Sequence, residues 1–437
     1  MHRGFDTHSV STEALDMIFT QERLDQGAQL AVAEMPHVES VSVGFWLAVG
    51  GRHESKRQNG IFHFLEHMLF KGTTKRSARE ISEAIEGVGG YLNAFTAEEM
   101  TCYYARASAS HLPKVVEVLT DMLLRATFPA AEIERERGVI QEEIRMYEDQ
   151  PSQLAQDLAT SLLWPNNPLG RPLAGTSANI ERMRRRDLLS YRRKFYHSGN
   201  LCITAAGKTD LAEVKELLRP LLRQFPTGPQ AMFTPVSRRQ TKPRIQVVRK
   251  PLEQTQFVVG LRGVSRHDPR RSAFRLMSVI LGENMSSRLF QNVREKHGLA
   301  YSIGTGANYY HETGSLFINA GVENSKTTQA IRLTLQTVAQ LARRAPSLRE
   351  LRRAKEYTFG QIHLNLESTD NQMMWLGEGL LGHNRVINPD KLIRQIEAVT
   401  PEEVRAAAAL LVHDERLNIA VVSPTAELAE IEAVAKF

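Results

Sequence analysis

The segment His63-Phe64-Leu65-Glu66-His67 has residue types and a spacing suited to metal chemistry. Residues four apart on a helix share one face about a turn apart, so His63 and His67 can turn both imidazoles to one cation. Glu66 lies beside that face, where its carboxylate reaches a water on the cation without itself binding. Neutral imidazoles and a carboxylate suit zinc, which lowers the pKa of a bound water to about 7. A neighbouring carboxylate can then take that water's proton as it attacks a carbonyl. Phe64, Leu65, Met68 and Leu69 are apolar and would hold this helix still in a core.

Two histidines leave a tetrahedral ion short of one protein ligand and a water. The helical run 130–148, closed by Pro151, offers Glu136 and Glu143, seven residues apart and on nearly the same face. Glu142 is turned about 100° from Glu143 and should point elsewhere. We assign Glu143 as third ligand and Glu136 as its support, although spacing alone does not choose between the two. The other histidines, including His111, His197, His297, His311 and His363, are isolated and read as surface or satisfied core residues.

The elements that must position these groups fall into two halves. Residues 226–243 are rich in Pro, Gly, Thr and Ser, without a sustained apolar period, and read as a linker. This gives a zinc-bearing domain over 1–225 and a second domain over 244–437. In the first half, 29–34, 40–49 and 200–206 read as strands, and 61–70, 78–87, 112–126 and 130–148 as helices. Strands and helices in this order predict α+β domains, each a mixed, mainly antiparallel sheet with a helical layer. The halves also resemble each other. Val43-Gly44-Phe45 matches Val259-Gly260-Leu261, and Arg52-His53-Glu54 matches Arg266-His267-Asp268. Aligning Phe62 with Phe274 sets Arg275, Ser278 and Val279 opposite His63, Glu66 and His67, so a duplicated domain would keep metal chemistry in one copy.

At 437 residues the chain is too long for one ordinary core. Its 42% hydrophobic and 24% charged content is that of a globular protein, and no apolar run approaches the roughly 18–20 residues that span a bilayer. The first residues lack the apolar core of a secretory signal and carry early acids unlike a transit peptide, so a cytoplasmic location is expected. Cys102 and Cys202 lie in separate apolar stretches and read as buried small hydrophobes, not a disulfide or thiolate site. The net charge of +6 is scattered. Knots such as Arg184-Arg185-Arg186 and Arg192-Arg193-Lys194 sit in mixed-charge helical sequence and read as solvated faces, with no nucleic-acid stripe.

Taken in order, Gly60–Thr73 (GIFHFLEHMLFKGT), Asn93–Thr96 (NAFT), Glu134–Met146 (ERERGVIQEEIRM), Gly170–Thr176 (GRPLAGT) and Met285–Tyr301 (MSSRLFQNVREKHGLAY) resemble the pitrilysin/insulinase, or inverzincin, metallopeptidases. The resemblance covers nearly the whole chain. It runs closest to short bacterial members and to the beta subunit of the mitochondrial processing peptidase. It implies one Zn2+ per chain held by His63, His67 and Glu143, with Glu66 as general base and Glu136 as supporting glutamate. It implies that Asn93, Ala94, Phe95 and Thr96 form the strand on which an extended peptide docks by backbone pairing. It sets the family's oxyanion-stabilising pair, seven residues apart, on Arg294 and Tyr301. Without it, Arg294 reads as a helix-end surface residue and Tyr301 as a strand core residue. Because that pair lies in the other half, the resemblance implies two domains forming half of a clamshell. A partner chain, in a homodimer or a heterodimer, would then supply Arg294 and Tyr301.

The function expected is a zinc endopeptidase for short or unfolded peptides inside a closed chamber, with no nucleic-acid or membrane partner. The rivals are a non-catalytic scaffold subunit and the catalytic half of an obligate heterodimer. Two departures stand out: Gly282-Glu283-Asn284 replaces a glycine-rich stretch before Met285, and the glycine-rich loop of the processing peptidase's alpha subunit is missing.

Overall fold

The computed structural model describes residues 8–12, 17–24, 27–237 and 239–437. Strands β1 (His8–Thr12), β2 (Met17–Arg23), β3 (Gln29–Glu34), β4 (Ser40–Leu47), β5 (Tyr91–Thr96), β6 (Thr101–Ser108) and β7 (Leu201–Gly207) form one sheet, ordered β1-β2-β3-β7-β4-β6-β5. Strands β8 (Arg244–Arg249), β9 (Gln254–Gly263), β10 (Ala300–Tyr309), β11 (Gly314–Glu323) and β12 (Asn418–Ser423) form a second, ordered β10-β11-β9-β12-β8. In each sheet one pair is parallel, β3 with β7 and β8 with β12, and the rest are antiparallel.

The expected duplication is visible in the topology. Read from the parallel pair outward, β3-β7-β4-β6-β5 and β8-β12-β9-β11-β10 are the same path. Register agrees as well. Gly44 stands between Tyr104 and Thr204, and Gly260 between Phe317 and Asn418. Outer strand β5 ends with Thr96 opposite Thr101, and β10 ends with Tyr309 opposite Gly314.

The chain divides into two compact units, and neither is a continuous stretch. The first holds residues 1–144, 172–234 and 362–392; the second holds 145–171, 235–361 and 393–437. The division expected from sequence therefore needs correction at two segments, although the crossing between Thr234 and Pro235 falls inside the expected linker. The helix Thr369–His383 covers a face of the first sheet, with Met373, Leu376 and Leu380 joining Phe19, Trp46, Cys102 and Cys202 in one core cluster. Its start is held by Ser42, whose hydroxyl donates to Asp370 (2.6 Å) and bonds the Thr369 hydroxyl (2.8 Å), and by Arg106, which donates to Asp370 (2.8 Å). Reciprocally, Ala155, Ala159 and Leu163 of the helix Pro151–Leu163 pack on Val258, Phe317, Ala420 and Val422 of the second sheet. Apolar periodicity shows that a helix buries a face but not which sheet covers it, so this exchange was not legible in the sequence.

Cys102 and Cys202 are free and buried, as expected, on the strands flanking β4 and opposite Trp46 from either side. Trp46 fixes the exchanged helix. Its indole N–H donates to Thr204 (2.8 Å), and a Cβ on Gly377 would lie 2.2 Å from its ring. A Gly377→Ala change would ordinarily strengthen a helix by about 1 kcal/mol, but the fully buried ring has nowhere to move. Overpacking should win, lowering stability by about 1–3 kcal/mol, measured as a lower urea midpoint at unchanged slope.

Candidate metal centre

The helix Ile61–Leu69 buries Ile61, Phe62, Phe64, Leu65, Met68 and Leu69, which leaves His63, Glu66 and His67 as its half-exposed strip. Its start is clamped. The buried carboxylate of Glu54 accepts from the backbone of Gly60 (2.8 Å) and Phe62 (3.0 Å) and from the Asn59 side chain (2.9 Å). A carboxylate there satisfies amides that the helix itself leaves orphaned and complements its dipole. Gly60 (φ +94°) and Gly175 (φ +82°) are both left-handed and pack against each other. A Cβ on Gly60 would meet the Ala174 carbonyl at 2.7 Å, and one on Gly175 the Asn59 carbonyl at 2.5 Å. The segment Gly170–Thr176 thus supports the metal helix from outside the site.

The second contributor is the helix Ala130–Asp149, which buries Ile133, Glu136, Arg137, Ile140 and Ile144. Pro151, taken in sequence as its closing residue, opens the helix that follows. Arg137 secures it: the guanidinium donates to the carbonyls of Ile180 and Met183 (2.9 Å to the latter) and lies 5.8 Å from the Phe64 ring. Glu143 is thereby brought to the histidines. Its Oε2 is 3.6 Å from His63 Nε2 and 3.8 Å from His67 Nε2, and the three donor atoms lie within 4.8 Å of one another. These separations are too long for hydrogen bonds. Ligands about 2.1 Å from a tetrahedral ion stand roughly 3.4 Å apart, so the donor set fits a zinc-sized cation. Of the two glutamates that spacing left open, Glu143 is the one facing both histidines, while Glu136 turns to His67 Nδ1 (3.0 Å) and Lys71 Nζ (2.7 Å). Glu142 is exposed.

Electrostatics suit the donors. Burial, reinforced by neighbouring His67, holds the His63 pKa down at about 4 against the pull of Glu143, so its imidazole is neutral at neutral pH. Its Nδ1 is buried without a hydrogen-bond partner. Burial also raises the Glu66 carboxyl above its ordinary range, opposed by the Thr96 hydrogen bond and by His67. Burial works against ionisation of Glu136 too, but there the bonds to His67 and Lys71 prevail and its pKa is lowered.

Among the described residues strand β5 is the outermost of its sheet, paired to β6 alone. Asn93 is exposed, and its side chain accepts from the Ala94 amide (2.8 Å). Phe95 turns inward, edge-on to Trp46 at 5.8 Å. Thr96, grouped in sequence with the docking strand, donates its hydroxyl to Glu66 Oε2 at 2.6 Å.

Arg294 and Tyr301 belong to the second unit. Arg294 lies on the π-helical turn Phe290–Lys296, its guanidinium 4.6 Å from the Phe290 ring and 5.9 Å from the Tyr301 ring. Tyr301 sits at a bulge of β10, between the paired residues Ala300 and Ser302, and is 73% exposed. Read as a plain strand residue it belongs in a core; the bulge turns it out instead. Where the second unit matches the metal helix, Arg275 pairs with Glu283 and Ser278 bonds Thr305 (3.3 Å). Among the described residues, His63, His67 and Glu143 are the only group of three or more such side chains placed to share an ion. Sequence reasoning missed Glu54, Lys71 and Arg137 as supports. Only Glu54 left a signal, since Asp268 keeps its place in the second copy and accepts from the Arg270 amide (2.9 Å) beside the helix Arg271–Gly282.

The chain is an α+β duplication in which one copy carries three side chains placed to share a cation, and comparison with known proteins identifies its family. Residues 29–177 match the insulinase family, peptidase family M16, and residues 182–357 match the peptidase M16 inactive domain. The uncharacterised zinc protease YmxG of Bacillus subtilis is 34% identical over 92% of this chain and 97% of its own length. The uncharacterised zinc protease Rv2782c of Mycobacterium tuberculosis is 35% identical over 92% of each chain. In fold, a protease from Helicobacter pylori superposes with a TM-score of 0.87 at 20% identity, covering 96% of this chain and all of the other. A peptidase M16 inactive domain structure from Pseudomonas fluorescens gives 0.86 at 20% identity, over 96% and 98%. The chain belongs to the insulinase family of peptidases, family M16. No helix among the described residues is long and apolar enough to cross a membrane.

In the metal-free protein, His63 has a folded pKa near 4 against about 6.5 unfolded. Between these values the unfolded chain binds more protons, so stability falls as pH drops from 6.5 to 4, by on the order of 3 kcal/mol. A series of urea midpoints across this range should show a shallower decline in a His63→Gln variant.

Proposed function

We propose that this chain is a zinc metalloendopeptidase that hydrolyses short or unfolded peptides held in extended form. The reading rests on one observation above the others: His63 and His67 converge with Glu143 beside a half-buried Glu66. The relatives' description as zinc proteases supports zinc as the ion. One zinc per chain, held by these three side chains, would supply a polarised water with a pKa lowered to about 7.

The chain's own groups do the rest. Thr96 engages Glu66 Oε2 and so orients the carboxylate, leaving Oε1 to take the water's proton and later return it to the leaving amine. Burial raises the Glu66 pKa, which makes the carboxylate a stronger proton acceptor than an exposed one. The outer edge of β5, with Asn93, Ala94 and Phe95, offers main-chain pairing to an extended peptide, which reads conformation more than sequence. Arg294 and Tyr301 hold substrate and donate to the oxyanion that develops in the tetrahedral state. Selectivity comes from an enclosed chamber together with strand pairing. The working form is a homodimer in the cytoplasm, with the heterodimer as its alternative.

A Glu66→Gln variant should retain one zinc per chain, by metal analysis, while losing about 10²–10⁴-fold in kcat/KM on a peptide library. A chelator should abolish wild-type cleavage and added zinc restore it. Retained cleavage in Glu66→Gln would sink the assignment. For the assembly, mixing Glu66→Gln and Arg294→Ala chains, each inactive alone, should regenerate activity if the pair acts on the partner's zinc. An active monomer by size-exclusion chromatography would refute the dimer.

A further inference from the structure

We infer that Lys71 is a positioning residue for the metal centre, acting through Glu136 on His67; the inference rests on the zinc reading above. Three groups stand in a row. Lys71 Nζ is 2.7 Å from Glu136 Oε1, and Glu136 Oε2 is 3.0 Å from His67 Nδ1, so each carboxylate oxygen has one partner. A carboxylate that accepts from Nδ1 fixes that nitrogen as the protonated one and frees Nε2 as the lone-pair donor. His67 Nε2 is the atom facing Glu143, at 3.8 Å. Alone, Glu136 could rotate about its last torsion and present either oxygen, or neither, to the ring. The ammonium removes that freedom by holding Oε1.

Lys71 is itself well placed. It follows the C-terminal end of the helix Ile61–Leu69, where a cation is favoured, and its amide donates to the Met68 carbonyl (3.2 Å). The Glu136 side chain is only 4% exposed, so its charge lacks water and depends on this partner, while Lys71 at 27% keeps one side in solvent.

The duplicated half shows that the pair is not a requirement of the fold. The helix Leu348–Asn365 buries Leu351, Ala354 and Thr358 at the spacing of Ile133, Glu136 and Ile140, which puts Ala354 in the place of Glu136. Counting from the Phe62–Phe274 match, Glu283 takes the place of Lys71 and pairs with Arg275, the counterpart of His63. The same strand order is built without the Lys–Glu–His row where no metal ligands occur. Its purpose is therefore local to the metal.

The test is Zn2+ binding to metal-free protein in competition with a chromophoric chelator, together with the ring-nitrogen NMR shifts of His67. Wild type, Lys71→Met, Lys71→Arg and His63→Ala are compared, and thermal unfolding verifies folding. Lys71→Met should bind Zn2+ about 10–100-fold more weakly and show a mixture of His67 tautomers, while Lys71→Arg keeps the wild-type tautomer and most of the affinity. If Lys71→Met does not fold, Lys71→Gln, which keeps a donor but not the charge, is read in the same way. A folded Lys71→Met with unaltered affinity and tautomer, while His63→Ala is impaired, overturns the relay alone. Wild type that binds no Zn2+, or His63→Ala that binds as well as wild type, overturns the metal centre and the relay with it.

Discussion

Two helices far apart in sequence must meet so that a pair of imidazoles and one carboxylate oxygen face a common point, and the first unit is built around that meeting. Two imidazoles and a carboxylate lose hydration when brought together in a partly buried site. They stay there only if their helices are held by something stronger. The His63 helix is held by six buried apolar side chains and by the Glu54 carboxylate at its start. The Glu143 helix is held by its isoleucines and by Arg137, which reaches three backbone carbonyls while lying near Phe64. Most of the residues that make the site are not in it.

Two carboxylates near His67, the buried Glu136 and the half-buried Glu66, are pushed in opposite directions. Glu136 has two hydrogen-bond donors and stays ionised despite burial, which suits a group that orients a ligand. Glu66 has one hydroxyl donor and is raised by burial, which suits a group whose proton moves. The same separation of carboxylate environments recurs wherever acid–base work and structural charge share a site. Thr96 adds a physical link, since it ends the open-edged strand and touches Glu66.

The duplication shows what the fold needs apart from the chemistry. Both sheets keep one path, one parallel pair and a glycine at the same register of the central strand, and each receives one helix from the other half of the sequence. In the second copy Arg275, which answers His63 in the sequence match, pairs with Glu283. A guanidinium there brings its own positive charge, so the same region needs no cation.

How much of this was legible depends on whether the information is local. Local pattern in the sequence determined three central strands and four helices of the first half, the His63–His67 face, the matched halves and the burial of both cysteines, because each follows from a period of two or 3.6 or from matching local motifs. Tertiary structure alone decided that Glu143, not Glu136, faces both histidines, because two positions seven apart on a helix look alike until the helix is seated against its partner. It alone assigned the helices Pro151–Leu163 and Thr369–His383 to their sheets, turned Tyr301 outward at a bulge, and revealed Lys71 and Arg137 as supports. Those outcomes depend on contacts between residues distant in sequence, and no period along the chain records them.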